Sequence, residues 1–254
     1  MKVTFLGTGT SQGVPFIGCP CPVCNSADAR DTRLRSAIWI DAPGASIVID
    51  SGPDFRYQML RAGVRRLDAI VFTHGHKDHI AGLDDIRPYN FFQKNAIGVY
   101  ATEETQEALR REFRYIFAEV SYPGIPQIDM HTISPTEPFS INGLHITPIR
   151  VKHYHLEVLG FRIGKFTYIT DANYIAPEEM EKIKGSDTLV LNALRHEAHI
   201  SHYTLSQAIE VARQAGVPNV YFTHISHQLG LHSDVENTLP AGMHLAYDGL
   251  SLKF

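Results

Sequence analysis

Three histidines and one aspartate lie within six residues of each other in the run THGHKDH, at Thr73–His79. His74 and His76 are two residues apart and can converge on one ion, whereas Asp78 and His79 follow directly and can reach a second. A lone histidine is usually a surface or packing residue. This density of ligand-type side chains is hard to explain by packing, so the run predicts a site for two metal ions.

The three cysteines of the chain form a second cluster, at Cys19, Cys21 and Cys24. An odd number of cysteines within six residues is a poor disulfide framework, but it is a good set of thiolate ligands in a reducing compartment. The cluster therefore predicts a second kind of metal site.

The spacing of apolar residues predicts the strands and helices that surround these clusters. Alternating or continuous apolar runs predict strands, and helical spacing predicts helices. The predicted strands are Lys2–Leu6, Ile38–Ile40, Ile47–Ile49, Leu67–Phe72, Thr188–Asn192 and Asn219–Phe222, with more strands between Ile128 and Thr170. The predicted helices are Pro53–Ala62, Glu103–Phe113, Pro177–Ile183 and Thr204–Ala215, and the predicted hairpin turns are Asn142-Gly143 and Asp248-Gly249. This order, which partly repeats, suits two packed sheets flanked by helices.

Composition limits the classes of function. The chain has 254 residues, is 44% hydrophobic and contains no linker-like segment, so we expect one domain over residues 1–254. Its net charge of −4 gives no basic field for nucleic acid. The first apolar run soon meets glycines, which argues against a secretory signal or a membrane span and favours a cytoplasmic protein.

The HxHxDH run, together with Asp50 at the end of an earlier strand, resembles the signature of the metallo-β-lactamase superfamily. The resemblance extends over the whole chain and implies an α+β fold, the αββα four-layer sandwich. Three further family ligands follow strands in the expected order: His153, Asp171 and His224.

The resemblance also implies how these ligands are shared. His74, His76 and His153 would bind one ion, and Asp171 would bridge to the other, whose remaining ligands would be Asp78, His79 and His224. A water that bridges the two ions would become the nucleophile. Asp78 and Asp50 count among the catalytic residues, Asp50 by orienting the ligand loop.

One ligand has a rival, because His153 and His155 both lie near the end of the same predicted strand. We favour His153, since family members usually carry the ligand directly after the strand and a Gly-aromatic pair, here Gly160-Phe161, some residues later.

The N-terminal segment GTGTSQGVPFIGCPCPVC resembles one branch of the superfamily, the PhnP-like phosphoribosyl cyclic phosphate phosphodiesterases. There a CxCxxC cluster and a late histidine hold a structural zinc. The matching residues are Cys19, Cys21, Cys24 and His227. Three thiolates and one imidazole form a closed tetrahedral site, which would stabilise an N-terminal loop at about residues 7–36.

The segment RHEAHISHYTLSQAI resembles a stretch that supplies a catalytic histidine in PhnP-like and tRNA 3′-processing enzymes. His202, just before the predicted helix, matches best and would protonate the departing alkoxide. His199 and His196 are its rivals. Arg195 and Lys152 lie near site residues and could hold a substrate phosphate. The histidines without a motif are interpreted as surface or packing residues: His131, His145, His232 and His244.

The resulting hypothesis is a phosphodiesterase that acts on a small cyclic phosphate with two divalent ions, zinc or manganese, beside one structural zinc. The alternatives are an RNA-processing metallo-nuclease, a cofactor-biosynthesis member of the superfamily and a zinc-stabilised binding module. We expect a small-molecule phosphodiester substrate and no membrane or nucleic-acid partner, and the family resemblance suggests a homodimer.

Overall fold

Two mixed β-sheets form the centre of the computed structural model, which describes residues 1–118 and 124–254. The strands are β1 Lys2–Gly7, β2 Ala37–Ala42, β3 Ala45–Ile49, β4 Ala69–Val71, β5 Ile97–Ala101, β6 Ile128–Thr132, β7 Phe139–Ile141, β8 Leu144–His153, β9 Leu156–Ile163, β10 Phe166–Tyr168, β11 Tyr174–Ile175, β12 Thr188–Asn192, β13 Asn219–Thr223, β14 Met243–Leu245 and β15 Ser251–Lys253. The helices are α1 Phe55–Ala62, α2 Lys77–Ile80, α3 Arg87–Gln93, α4 Glu103–Glu112, α5 Pro177–Ile183, α6 Leu205–Ala215 and α7 His232–Glu236.

Each sheet begins with antiparallel strands and continues with parallel ones. The first has the order β15-β1-β2-β3-β4-β5-β6, and the second has the order β11-β8-β9-β10-β12-β13-β14, with β7 paired to β8. From β3 to β6 and from β10 to β14 the pairing is parallel. The partial repeat in the sequence therefore corresponds to two similarly built sheets.

The core is arranged in three layers of apolar contacts. A central cluster joins the facing sides of the sheets, with Phe5 and Ile40 from the first and Phe161 and Tyr168 from the second. An outer cluster packs α1 and α4 on the first sheet. Another packs α5 and α6 on the second. Helices thus cover both outer faces, and the predicted αββα sandwich is confirmed.

Most predicted elements are present, with shifted ends. Helix α5 and strand β12 have the predicted bounds. Helix α1 ends as predicted before Gly63, whose φ of 65° suits the left-handed closing position. Helix α6 begins one residue later than predicted. Thr204 is its N-cap and exchanges hydrogen bonds with Gln207, so it lies just before the first helical residue.

The predicted hairpin at Asp248-Gly249 is wrong. Strand β14 pairs with β13 in the second sheet, whereas β15 pairs with β1 in the first. The Asp-Gly pair therefore lies in a connection that crosses between the sheets. Helix α3 was not predicted. No helix within residues 1–118 and 124–254 is both long and apolar enough to cross a membrane.

Candidate metal centre

The predicted ligands come together at one edge of the sandwich, where several strands end. Asp50 follows β3, His153 ends β8, and His224 follows β13. Asp50, Asp171 and His224 have φ values of 65°, 57° and 56°, a left-handed conformation that is uncommon for residues other than glycine. Asp171 lies in a ligand group with His153 and in another with His224, and Asp50 contacts His79 of the second group.

The first predicted ligand group forms a compact cluster. The ligand atoms of His74, His76, His153 and Asp171 all lie within 4.8 Å of one another. His74 Nε2 is 3.8 Å from Asp171 Oδ2. His155, the rival of His153, is exposed in the turn between β8 and β9 and is not part of the cluster. The geometry therefore favours His153 over His155.

The second predicted group lies directly beside the first. Asp78, His79, Asp171 and His224 also place their ligand atoms within 4.8 Å of one another. His79 Nε2 is 3.2 Å from Asp78 Oδ2 and 3.4 Å from Asp171 Oδ2. Asp171 belongs to both groups, so its carboxylate lies where a bridge between two ions would be.

Asp50 is buried and its oxygens are fully engaged. It accepts hydrogen bonds from the backbone N–H and the hydroxyl of Thr73, both at 2.9 Å, and contacts His79 Nδ1 at 2.8 Å. Nε2 of His79 is thereby directed into the cluster. Asp50 thus acts through His79 and is a positioning residue, not a direct ligand.

Several polar groups that support the ligands were not predicted. The Ser201 carbonyl accepts from His153 Nδ1 at 2.8 Å, the Ser36 hydroxyl lies 3.2 Å from His224 Nδ1, and the Thr170 hydroxyl donates to Asp171 Oδ1 at 2.6 Å. For His153 this contact uses Nδ1 and leaves Nε2 available, whereas Nδ1 of His224 also lies 3.0 Å from Asp171 Oδ1. A threonine directly before a ligand, as at Thr73 and Thr170, is the signal that could have identified two of the supporting hydroxyls.

The donor set fits divalent cations. Imidazole nitrogens and carboxylate oxygens suit zinc or manganese. Nε2 of His79 is buried, and although the Asp78 and Asp171 carboxylates lie 3.2 and 3.4 Å away, neither is aligned for a hydrogen bond with it. Burial alone would lower the pKa of His79, but the carboxylates of Asp78, Asp171 and Asp50 hold it well above its ordinary value. The cluster thus favours positive charge at this point, which a bound cation would supply.

The cysteine cluster lies apart from these groups. Cys19, Cys21, Cys24 and His227 place their ligand atoms within 4.8 Å of one another. The sulfurs of Cys19 and Cys21 are each 3.4 Å from His227 Nδ1. The hydrogen bond with His227 lowers the pKa of the Cys21 thiol to about 6, which favours the thiolate that metal binding requires.

We predict that Cys21→Ser lowers the melting temperature and removes one zinc ion per chain, because the site ties the N-terminal loop to His227. Each kcal/mol of lost stability should lower the melting temperature by about 2–4 °C in a chain of this size. Calorimetry and metal analysis measure both effects. The control is Ile17→Ala, at a side chain of the same loop that is 93% exposed. A Cys21→Ser protein with unchanged melting temperature and zinc content would contradict the structural-zinc assignment.

Of the three proton-donor candidates, His202 lies nearest the cluster. Its ring centre is 4.6 Å from that of His153 and 4.8 Å from that of His224. His199 lies beyond it, at 5.1 Å from His202, and the exposed His196 contacts the Leu229 carbonyl instead. Burial lowers the pKa of His202 to about 3.

Arg195 and Lys152 already have other partners. Arg195 donates to Gln228 Oε1 at 2.8 Å and to two backbone carbonyls, and Lys152 lies 3.4 Å from Glu157. The Lys152 pair is a solvent-exposed one, and a role of either residue at a substrate phosphate stays a prediction. The four histidines without a motif have contacts away from the cluster, as expected of surface or packing residues: His131, His145, His232 and His244.

Comparison with known proteins identifies the class to which this fold and site belong. Residues 45–225 match the family model described as the beta-lactamase superfamily domain. The chain therefore belongs to the metallo-β-lactamase superfamily and has the fold of its hydrolases.

A solved structure described as a new diphosphatase from the PhnP family is 43% identical, with a TM-score of 0.93, and the match covers 100% of this chain and 97% of that one. This finding confirms the predicted PhnP-like branch.

Two further similar proteins are named for functions other than diphosphate hydrolysis. An octanoyltransferase of Porphyromonas gingivalis is 41% identical over 98% of this chain, but the chain spans only 51% of that protein's length. Zinc-bound PqqB from Methylobacterium extorquens has a TM-score of 0.81 at 20% identity, with 100% of both chains covered. The second likeness shows a shared fold alone.

Proposed function

We propose that the protein is a metal-dependent phosphodiesterase that hydrolyses a small phosphodiester, of the kind found in phosphoribosyl cyclic phosphates. The main support is the position of Asp171, which belongs to two adjoining ligand groups, since paired ion positions are typical of enzymes that displace groups at phosphorus. The seven predicted ligands would hold two Zn²⁺ or Mn²⁺ ions, and Cys19, Cys21, Cys24 and His227 would hold a structural Zn²⁺. The catalytic ions would supply Lewis acidity and lower the pKa of a water molecule toward 7.

The protein's own residues would perform the remaining tasks. Asp50, Ser36 and the Ser201 carbonyl fix the rings of His79, His224 and His153, so that little reorganisation is needed during the reaction. His202, beside both ligand groups, would donate a proton to the leaving oxygen.

Hydrolysis of a diphosphate is the second candidate, favoured by the 43% identical diphosphatase. The same ligand groups could support it, but a phosphate leaving group depends less on proton donation than an alkoxide does. A nuclease is less well supported, since the net charge of −4 provides little attraction for a nucleic-acid backbone.

The test is a hydrolysis screen of the metal-loaded protein with four classes of substrate: a ribose cyclic phosphate, a linear phosphodiester, a diphosphate diester and a short RNA. We expect the cyclic phosphate to give the highest kcat/KM. Asp78→Ala, which removes one of the predicted ligands, should abolish turnover of that substrate. A clear preference for the diphosphate would support the second candidate. Turnover of RNA alone, or of no substrate with both metals supplied, would overturn the proposal.

A further inference from the structure

A cavity of about 450 Å³ lies between helices α1 and α3. The buried side chains of Phe55, Met59 and Val64 line it, together with Leu60 and Phe92, which are 64% and 78% exposed. Its volume is within the usual range of small-molecule sites, about 300–1,000 Å³, which are mostly apolar with a few polar groups. None of the described residues that line it is a predicted metal ligand, so the cavity is separate from the metal centre.

Helix α3 is held beside this cavity by polar contacts more than by apolar packing. Every residue of the helix is at least partly exposed. The Tyr89 hydroxyl donates to the Val64 carbonyl at 2.8 Å, and the Gln93 amide exchanges two hydrogen bonds with the backbone of Leu67, both at 2.8 Å. These bonds fix the position of α3 relative to the end of α1. The cavity is therefore preformed, which lowers the entropic cost of filling it.

Two arginines give the lining of the cavity a positive charge. Arg56 and Arg65 line it with a single carboxylate, that of Asp85. Within residues 1–118 and 124–254, neither arginine has a salt bridge, whereas the nearby Arg61 and Arg66 each have one. The net charge of the chain is −4, so this excess of arginine is a local feature. An apolar cavity with positive charge in its lining suits a ligand that is apolar along its length and anionic at one end.

We propose that this cavity binds a free fatty acid of medium chain length, with the alkyl chain against Met59 and Phe92 and the carboxylate at Arg56 and Arg65. An alkyl chain gains free energy by leaving water and needs no directional partner, which suits walls of aliphatic and aromatic side chains. A guanidinium binds a carboxylate through two parallel hydrogen bonds. The site is additional to the metal centre and does not depend on the hydrolysis of any substrate.

Calorimetric titration of the metal-loaded protein with decanoate, hexanoate and decylammonium tests both parts of the ligand. Each buried methylene should raise the affinity about 4-fold. Decanoate should therefore bind at least about 10-fold more tightly than hexanoate, and up to about 200-fold if all the additional methylenes are buried. Decylammonium has the same chain with the opposite charge, so it should bind at least about 10-fold more weakly than decanoate.

Two neighbouring phenylalanines of α3 provide a matched pair of variants. Phe92 lines the cavity, whereas Phe91 is 65% exposed and is not among the lining residues. Phe92→Ala should weaken the binding of decanoate by about 5-fold or more, and Phe91→Ala should change it by less than about 2-fold. The double variant Arg56→Gln and Arg65→Gln should remove the preference for decanoate over decylammonium. Its control is Arg213→Gln, at an exposed arginine on α6.

Asp171→Ala separates this site from the metal centre, where a carboxylate could also bind. This variant should bind decanoate as the parent does, and loss of binding in it would overturn the proposal. Equal losses in Phe91→Ala and Phe92→Ala, with a dimer that dissociates in both by sedimentation, would show that a second copy of the chain covers this face instead. Binding to phosphatidylglycerol vesicles without binding of free decanoate would assign the face to a membrane surface, which also overturns the fatty-acid site.

Discussion

Asp171→Ala should lower kcat by about 10³-fold or more, the largest effect expected of a single substitution in this protein. Its carboxylate is shared by both ligand groups, so its loss should weaken both ion positions together. Metal ions contribute several kcal/mol of transition-state stabilisation, and each ~1.4 kcal/mol corresponds to a factor of ten. Steady-state kinetics and metal analysis of the same preparation measure the two effects.

The control for this prediction is Asp129→Ala, at an exposed aspartate on β6 whose side chain contacts His131. It should leave both kcat and metal content near the parent values. Circular dichroism should show that Asp171→Ala remains folded, because the sheets keep their apolar contacts. Activity within a few-fold of the parent, at full metal content, would rule out Asp171 as the bridging ligand.

His202→Ala should lower kcat by roughly 10²- to 10⁴-fold on a substrate with an alkoxide leaving group. The loss on a nitrophenyl phosphodiester should be much smaller, because that leaving group departs without a proton. Metal content should not change. Comparison of the two substrates separates proton donation from general damage to the centre.

His202 can act as a proton donor only if its ring carries a proton when substrate is bound. Burial lowers the pKa of His202 to about 3, so the ring of the free protein is neutral at pH 7. A nearby phosphate would favour the charged form and raise this pKa, so the proton would be acquired when substrate binds. The matched variant is His199→Ala, because His199 contacts His202 from the side away from the ligand groups. This substitution should change kcat only slightly. Equal losses on both substrates for His202→Ala would assign His202 a positioning role.

The sequence was sufficient to predict the parts of the protein that depend on local patterns. The metal-ligand run at Thr73–His79 needs no tertiary information, because its residues are close along the chain. Helix α5 and strand β12 have the predicted bounds for the same reason. The more distant ligands could be placed only through family resemblance, since no spacing rule connects His74 with His224. Their roles as ligands stay predictions.

What could not be predicted depends on contacts between distant segments. An Asp-Gly pair has the same local preference in a hairpin as in a connection between sheets, so Asp248-Gly249 was assigned wrongly. The Ser36 hydroxyl reaches His224 across 188 positions of sequence, and no local pattern indicates this contact. The depressed pKa of His202 likewise results from burial, which depends on the packing of several elements.

The left-handed conformations of Asp50, Asp171 and His224 affect how the protein would respond to heat. Each costs about 1–3 kcal/mol, and hydrogen bonds to their side chains help to hold these residues in place. The sheets behind them are joined by apolar contacts that do not depend on these bonds. On warming, the strand ends can therefore relax toward ordinary backbone angles while the sandwich stays folded. Thermal inactivation would then begin below the melting temperature and would be reversible on cooling.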